Sequence, residues 1–234
     1  MRTRRRIDGE WTYFVIEDLP EAYQGWHGIA DQLGLYLHFM PQSIDSYGTV
    51  VPTASAHLDD AYDNFQRSLD DLFRQTARVV PAPWEHALLE WVRRSKGHGL
   101  DWWLTGSAAL SIRGAVVRPR DIDLTVADQD VHRVEDLLLD GLIQPVRPMT
   151  DWVHNTFARA FLGARIEWCG GVLDRADASF PSDHGPTAAR RLETVTWQGY
   201  DIRVPPLDLH LRVSQERGLH DRVREIERLM AEGA

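Results

Sequence analysis

The stretch from Asp101 to Val126, DWWLTGSAALSIRGAVVRPRDIDLTV, decides how the rest of the chain is read. Trp102, Trp103 and Leu104 predict a buried strand, Gly106–Ser107 a tight turn, and Ala108 to Ile112 a short helix. An arginine-bearing loop, Arg113 to Arg120, leads into a second strand that carries Asp121 and Asp123. Side chains alternate faces along a strand, so the two aspartates point one way while Ile122 and Leu124 turn to the core. Carboxylates side by side repel unless positive charge lies between them. Helix N-terminal amides at Gly106–Ser107 lie nearby and suit an anion. A divalent metal on the aspartates and a phosphate on the turn satisfy both halves of the pattern.

Leu104-Thr105-Gly106-Ser107 followed by Arg120-Asp121-Ile122-Asp123-Leu124 resembles the nucleotidyltransferase superfamily related to DNA polymerase beta. That family is marked by a Gly-Ser or Gly-Gly turn opening a helix, Asp-x-Asp on the next strand, and a third carboxylate on a later strand. Arg165-Ile166-Glu167-Trp168 supplies the third acid as Glu167, with Asp174 and Asp177 as competitors. The strong part of the resemblance is residues 101–126, and a looser part runs from Leu100 to the C-terminus. It implies an α/β (α+β) fold with a small mixed β-sheet flanked by helices.

The resemblance also implies a reaction. An acceptor hydroxyl attacks the α-phosphorus of a nucleoside triphosphate, a nucleoside monophosphate is transferred, and pyrophosphate leaves. Such chemistry asks mainly for positioning and charge neutralisation. Asp121 and Asp123 would be shared ligands of Mg2+, with Mn2+ as a substitute, in a two-metal site completed by Glu167. Glu167 would also help to deprotonate the acceptor. Gly106 would let the backbone approach the triphosphate, and Ser107 would offer its amide and hydroxyl. Arg118 and Arg120 would contact the phosphates or simply neutralise the aspartates; Arg113 is a weaker candidate. The short chain looks like the small-substrate or toxin-type branch, whose acceptors are antibiotics, proteins or tRNA ends. A non-catalytic nucleotide- or partner-binding regulatory module on the same fold is the rival reading, and a metal-dependent phosphohydrolase is a third.

Composition bounds the choices. In 234 residues there is room for an accessory N-terminal region, 1–80, and a catalytic region, 81–234, divided at Pro81 and Pro83. Residues 1–80 match no known pattern, and a partner protein is one use for them. The net charge of −9 argues against a broad nucleic-acid footprint and mildly favours a cationic small molecule or a protein as acceptor. Arginines nevertheless cluster at 113–120, 190–191 and 217–224. One lysine, Lys96, stands beside 25 arginines, so any phosphate clamp must use the planar guanidinium fork. The single cysteine, Cys169, excludes an internal disulfide and a cysteine-rich zinc site, and no apolar run approaches the roughly 20 residues of a membrane span. A cytoplasmic protein is expected. The histidines show no metal spacing, and Cys169 has no visible base partner.

Elsewhere the pattern predicts a strand over Trp11–Ile16 and a short helix or helix-to-strand passage over Trp26–Tyr36. Pro41–Ala56 reads as a loop or hairpin, and Ala56–Arg78 and Trp84–Arg94 as helices, which makes the N-terminal region α-rich. The acidic face Asp59, Asp60, Asp63, Asp70, Asp71 reads as solvated surface. Asp130–Asp140 predicts a helix and 141–150 a turn around Pro145 and Pro148. Hairpins follow at Phe157–Trp168 and Thr194–Val204, then two closing helices, Leu207–Val213 and Leu219–Met230.

Overall fold

The computed structural model describes residues 2–17, 33, 36–40, 43–150 and 152–233. The reading made over Trp26–Tyr36 lies outside them except at Leu33 and Tyr36. Strands β1 (Arg2–Asp8), β2 (Trp11–Glu17), β3 (Tyr36–Met40) and β4 (Ser43–Pro52) form an antiparallel sheet in the order β1-β2-β4-β3. This corrects the α-rich N-terminal region, since every regular element described before Leu58 is a strand. β2 is where its apolar run puts it, with Phe14, Val15 and Ile16 buried. β1 has no apolar alternation to betray it. It is held by full register with β2, Arg2 opposite Glu17 through Asp8 opposite Trp11, and by the Arg4–Glu17 ion pair at 3.1 Å. A charged edge strand also discourages pairing with other chains. Over Pro41–Ala56, where a loop or hairpin was expected, lies strand β4, antiparallel to β3. Its glycine fits because a Cβ on Gly48 would meet the Phe14 carbonyl oxygen at 2.7 Å.

Helix α1 (Leu58–Thr76) buries Phe65, Leu69, Leu72 and Phe73 and leaves its five aspartates exposed, as its periodicity requires. Asn64 donates to the Leu139 carbonyl at 2.8 Å and Gln75 to that of Gly163 at 2.7 Å, pinning α1 across the second sheet. Helix α2 (Trp84–Ser95) turns Leu88, Trp91 and Val92 inward.

The remaining elements are β5 (Trp102–Thr105), α3 (Gly106–Ile112), β6 (Asp121–Val126), α4 (Val131–Leu137), β7 (Leu142–Pro148), β8 (His154–Phe161) and β9 (Arg165–Val172). After them come α5 (Pro186–Ala189), the hairpin β10 (Glu193–Trp197) and β11 (Tyr200–Val204), α6 (Leu207–Glu216) and α7 (His220–Glu232). The main sheet runs β5-β6-β9-β8-β7; β6 and β9 are parallel and the other neighbours antiparallel. The fold is therefore α+β with a small mixed sheet. β7 corrects the turn expected at 141–150. It lies at the sheet edge, where prolines are tolerated, and its register with β8 slips on both sides of Gln144.

One face of the main sheet buries Ile122, Leu124, Ala158, Ala160, Ile166 and Trp168, and this core continues without a break into Phe14, Val51, Phe65 and Trp91. A smaller cluster, Leu110, Ala115, Leu207, Ile226 and Leu229, packs α3 against α6 and α7. Among the described residues no helix is long and apolar enough to cross a membrane.

Candidate active site

The other face of the main sheet is polar, and strand register decides which charges meet there. β6 and β9 place Asp121 opposite Arg165 and Asp123 opposite Glu167, while β8 places Arg159 opposite Glu167. Arg159 Nε donates to Glu167 Oε1 at 2.8 Å and Arg165 Nε approaches the same oxygen at 3.0 Å. Arg165 also pairs through Nη2 with Asp121 Oδ2. Arg159 Nη1 donates in addition to Gln144 Oε1 at 2.9 Å and to the Leu33 carbonyl at 3.0 Å. The N-terminal part of the chain thus reaches the site through Leu33.

These contacts divide the acids. Burial alone would raise the Glu167 pKa, but Arg159 and Arg165 outweigh it and hold the carboxyl below the usual range. Asp123 has no ion pair among the described residues. Burial first, then the negative charges of Asp121 and Glu167, push its carboxyl well above the usual range. Against it sits Gly106, with φ +67°, at the point where β5 turns into α3. A Cβ on Gly106 would collide with Asp123 Oδ2, so only glycine brings the turn and the carboxylate this close. Ser107 is half-buried on the same turn.

The other predicted residues are placed as follows. Arg118 and Arg120 are exposed in the loop before β6, and it is Arg165 that meets Asp121. Arg113 is committed to Glu193 at 2.5 Å and to the Pro205 carbonyl at 3.0 Å. Of the competitors to Glu167, Asp174 is exposed, and Asp177 accepts from the Ser182 and Thr187 amides at 2.8 and 2.7 Å and so shapes its own loop. Burial pushes the Cys169 thiol up, which keeps it protonated and argues against a nucleophile.

Sequence reading missed several neighbours. Asp183 bridges His184 Nδ1 and His210 Nδ1, each at 2.9 Å. Burial would raise the Asp183 pKa; the bonds from the two histidines outweigh it, and its negative charge reaches Asp123. No periodicity links Asp183 to α6. Arg165 was within reach of inspection, because it lies two residues before Glu167 on the same strand face.

Among the described residues no three His, Cys, Asp or Glu side chains form a set that could hold a metal ion. The adjacent carboxylates of Asp121 and Asp123 fit a cation, because Asp123 lies beside like charge and has no ion pair of its own among the described residues. Both guanidinium groups meet Glu167 at Oε1, so that oxygen is engaged in this arrangement.

No protein-family model matches the chain, and no curated protein does. Solved structures to which it is similar include a Thermotoga maritima protein, TM1012, described provisionally as a nucleotidyltransferase: 18% identity, 62% of this chain, 91% of that one, TM-score 0.47. The lincosamide adenylyltransferase LnuA, in its lincomycin-bound form, is 12% identical over 61% of this chain and 95% of its own, with a TM-score of 0.45. The resistance enzyme ANT(2'')-Ia with adenylyl-2''-tobramycin is 17% identical over 62% and 91%, with a TM-score of 0.40. Each is a nucleotidyltransferase or is described as one. The geometry of the site itself, not these likenesses, carries the functional reading.

Proposed function

We propose that this chain is a nucleotidyltransferase that moves a nucleoside monophosphate from a nucleoside triphosphate to an acceptor hydroxyl. In the transfer the acceptor oxygen bonds to the α-phosphorus, the bond to the bridging oxygen breaks, and pyrophosphate leaves. The supporting observation is Asp123, a half-buried carboxyl crowded by two acids and pressed against the Gly106 turn. Such a group is costly unless a cation joins it. Asp121 and Asp123 would hold Mg2+ or Mn2+, which when bound neutralises phosphate charge and lets Asp123 ionise. Glu167 serves as third acid, with Oε1 shared with Arg159 and Arg165. Ser107 and the Gly106 backbone face the phosphates. The region 81–234 supplies this machinery and 1–80 is accessory to it. The chain's acidity favours a cationic small molecule or a protein as acceptor over tRNA.

A second reading, a non-catalytic nucleotide- or partner-binding module on the same fold, is favoured by one observation: two arginines occupy Glu167. The test is incubation with each α-labelled triphosphate, Mg2+ or Mn2+, and pools of aminocyclic antibiotics, protein and tRNA. Label transfer that vanishes in Asp123→Ala establishes the enzyme. Triphosphate binding without transfer to any pool establishes the module instead.

A further inference from the structure

Gln144 is an amide in a place that would suit an apolar side chain. It is 2% exposed on β7 and lines a narrow cavity with Leu33, Phe65, Leu69, Leu72 and Ile143. Strand register explains how it meets the polar face of the main sheet. Leu142 stands opposite Ala160, and both belong to the core. Continued without a slip, that ladder would set Gln144 opposite Ala158, on the core side as well. Instead β7 carries an extra residue, and Gln144 stands opposite Arg159. Residues paired across a ladder share a face, so the bulge turns Gln144 toward the charged side of the sheet.

The amide is used at one end. Oε1 accepts from Arg159 Nη1 at 2.9 Å, while Nε2 is buried and finds no partner among the described residues. An arginine only donates, so this bond fixes which end of the amide faces it. A buried N–H left bare costs free energy that methionine, an apolar chain of similar length, would avoid. The cost is offset by what Arg159 gains. Its Nη1 donates to Gln144 and also to the Leu33 carbonyl at 3.0 Å, and the Phe157 ring centre lies 4.6 Å from its Cζ. Held on these sides, the guanidinium aims Nε at Glu167 Oε1 at 2.8 Å. A carboxylate gripped at one oxygen keeps its plane, and with it the direction of its other oxygen.

We propose that Gln144 is a positioning residue for the third acid. By holding Arg159 it fixes the direction in which Glu167 presents its carboxylate; the assignment rests on the nucleotidyltransferase reading above. Among the described residues Gln144 makes no hydrogen bond to the acids, so its effect on transfer passes through Arg159. The grip on Nη1 comes from two places, the bulge of β7 and the backbone at Leu33, which gives the chain before residue 80 a share in aiming Glu167. An apolar residue at position 144 keeps the fold and loses the aim.

Gln144→Met and Gln144→Glu test this, since both keep the length of glutamine and only the second keeps an acceptor oxygen. In EDTA, proton–nitrogen correlation spectra follow the Arg159 Nε proton, identified by its loss in Arg159→Lys. Gln144→Met is expected to exchange that proton with solvent at least about tenfold faster, and Gln144→Glu to recover the slow exchange. The ligand-free Tm of Gln144→Met should stay within about 4 °C of wild type, because the bare amide goes with the lost bond. In label transfer its kcat should fall at least about tenfold with the triphosphate KM unchanged. An Arg159 proton that exchanges as slowly in Gln144→Met as in wild type overturns the positioning role and leaves the nucleotidyltransferase reading intact. So does a loosened Arg159 with the kcat of wild type. A larger fall in Tm assigns Gln144 to the fold and also overturns the role. A wild-type chain that transfers label from no triphosphate overturns the reading itself, and the positioning of a third acid with it.

Discussion

Gly106 meets two demands at one backbone position, a φ of +67° and the carboxylate of Asp123 where a Cβ would be. The two separate experimentally, because Gly99 has a φ of +63° with nothing within 4 Å of a Cβ. Gly99→Ala should cost only the left-handed backbone term, about 1–2 kcal/mol. Gly106→Ala should cost at least about 1 kcal/mol more in urea denaturation, because the turn must part from Asp123. Equal losses would show that the turn and the carboxylate are not in contact. Asp123 itself should reveal its environment through pH. Its folded pKa lies above its unfolded one, so the folded protein keeps a proton that the unfolded chain gives up. That contribution is full below the ordinary carboxylate range and is lost as pH rises through the folded value. In EDTA, wild type and Asp123→Asn should have similar stability near pH 4, and the variant should be the more stable at pH 8. A difference that stays flat with pH would mean that Asp123 ionises normally.

At the level of elements, β6 and β9 hold the site by their parallel register, which sets Arg165 beside Asp121 and Glu167 beside Asp123. Removing the shared cation is informative. Arg165→Gln leaves Asp121 without its ion pair and Glu167 with Arg159 alone, both half-buried, and should lose about 1–3 kcal/mol in EDTA. Mg2+ should restore more stability to this variant than it adds to wild type, since a divalent ion can stand where the guanidinium stood; an equal gain would place the ion elsewhere. The strands and turns of this site were legible where the determinants are local. Alternation exposes Asp121 and Asp123, a single Gly-Ser pair opens α3, and Glu167 follows Gly163 in a hairpin. What could not be read is lateral. Nothing in RTRRRID marks a strand, because β1 is stabilised by partners on β2, and β4 was hidden by its serines, threonine and glycine. The engagement of Glu167 by Arg159 depends on which residues of β8 and β9 face each other, and Asp183 meets His210 only because a loop returns to α6.

At the scale of the whole molecule, the residues before and after residue 80 share one interior. Phe73 of α1 is 1% exposed and lies in the same buried cluster as Leu104, Ile122 and Ile166 of the main sheet, and Arg159 at the site bonds to Leu33. A core continuous across residue 80 should unfold as a unit, because neither part can lose its neighbour without exposing apolar surface. Phe73→Ala removes a buried aromatic from the join and should cost about 3–5 kcal/mol. The informative feature is how the loss is distributed. Far-UV circular dichroism reports both sheets, whereas fluorescence is weighted towards Trp102, Trp103 and Trp168 of the main sheet. In a single cooperative unit both probes shift to the same lower urea midpoint. Were residues 1–80 an independent layer, Phe73→Ala would split the transition and leave the fluorescence midpoint near that of wild type. The same coupling extends to the polar face of the main sheet, since Arg159 bonds both to the Leu33 carbonyl and to Glu167.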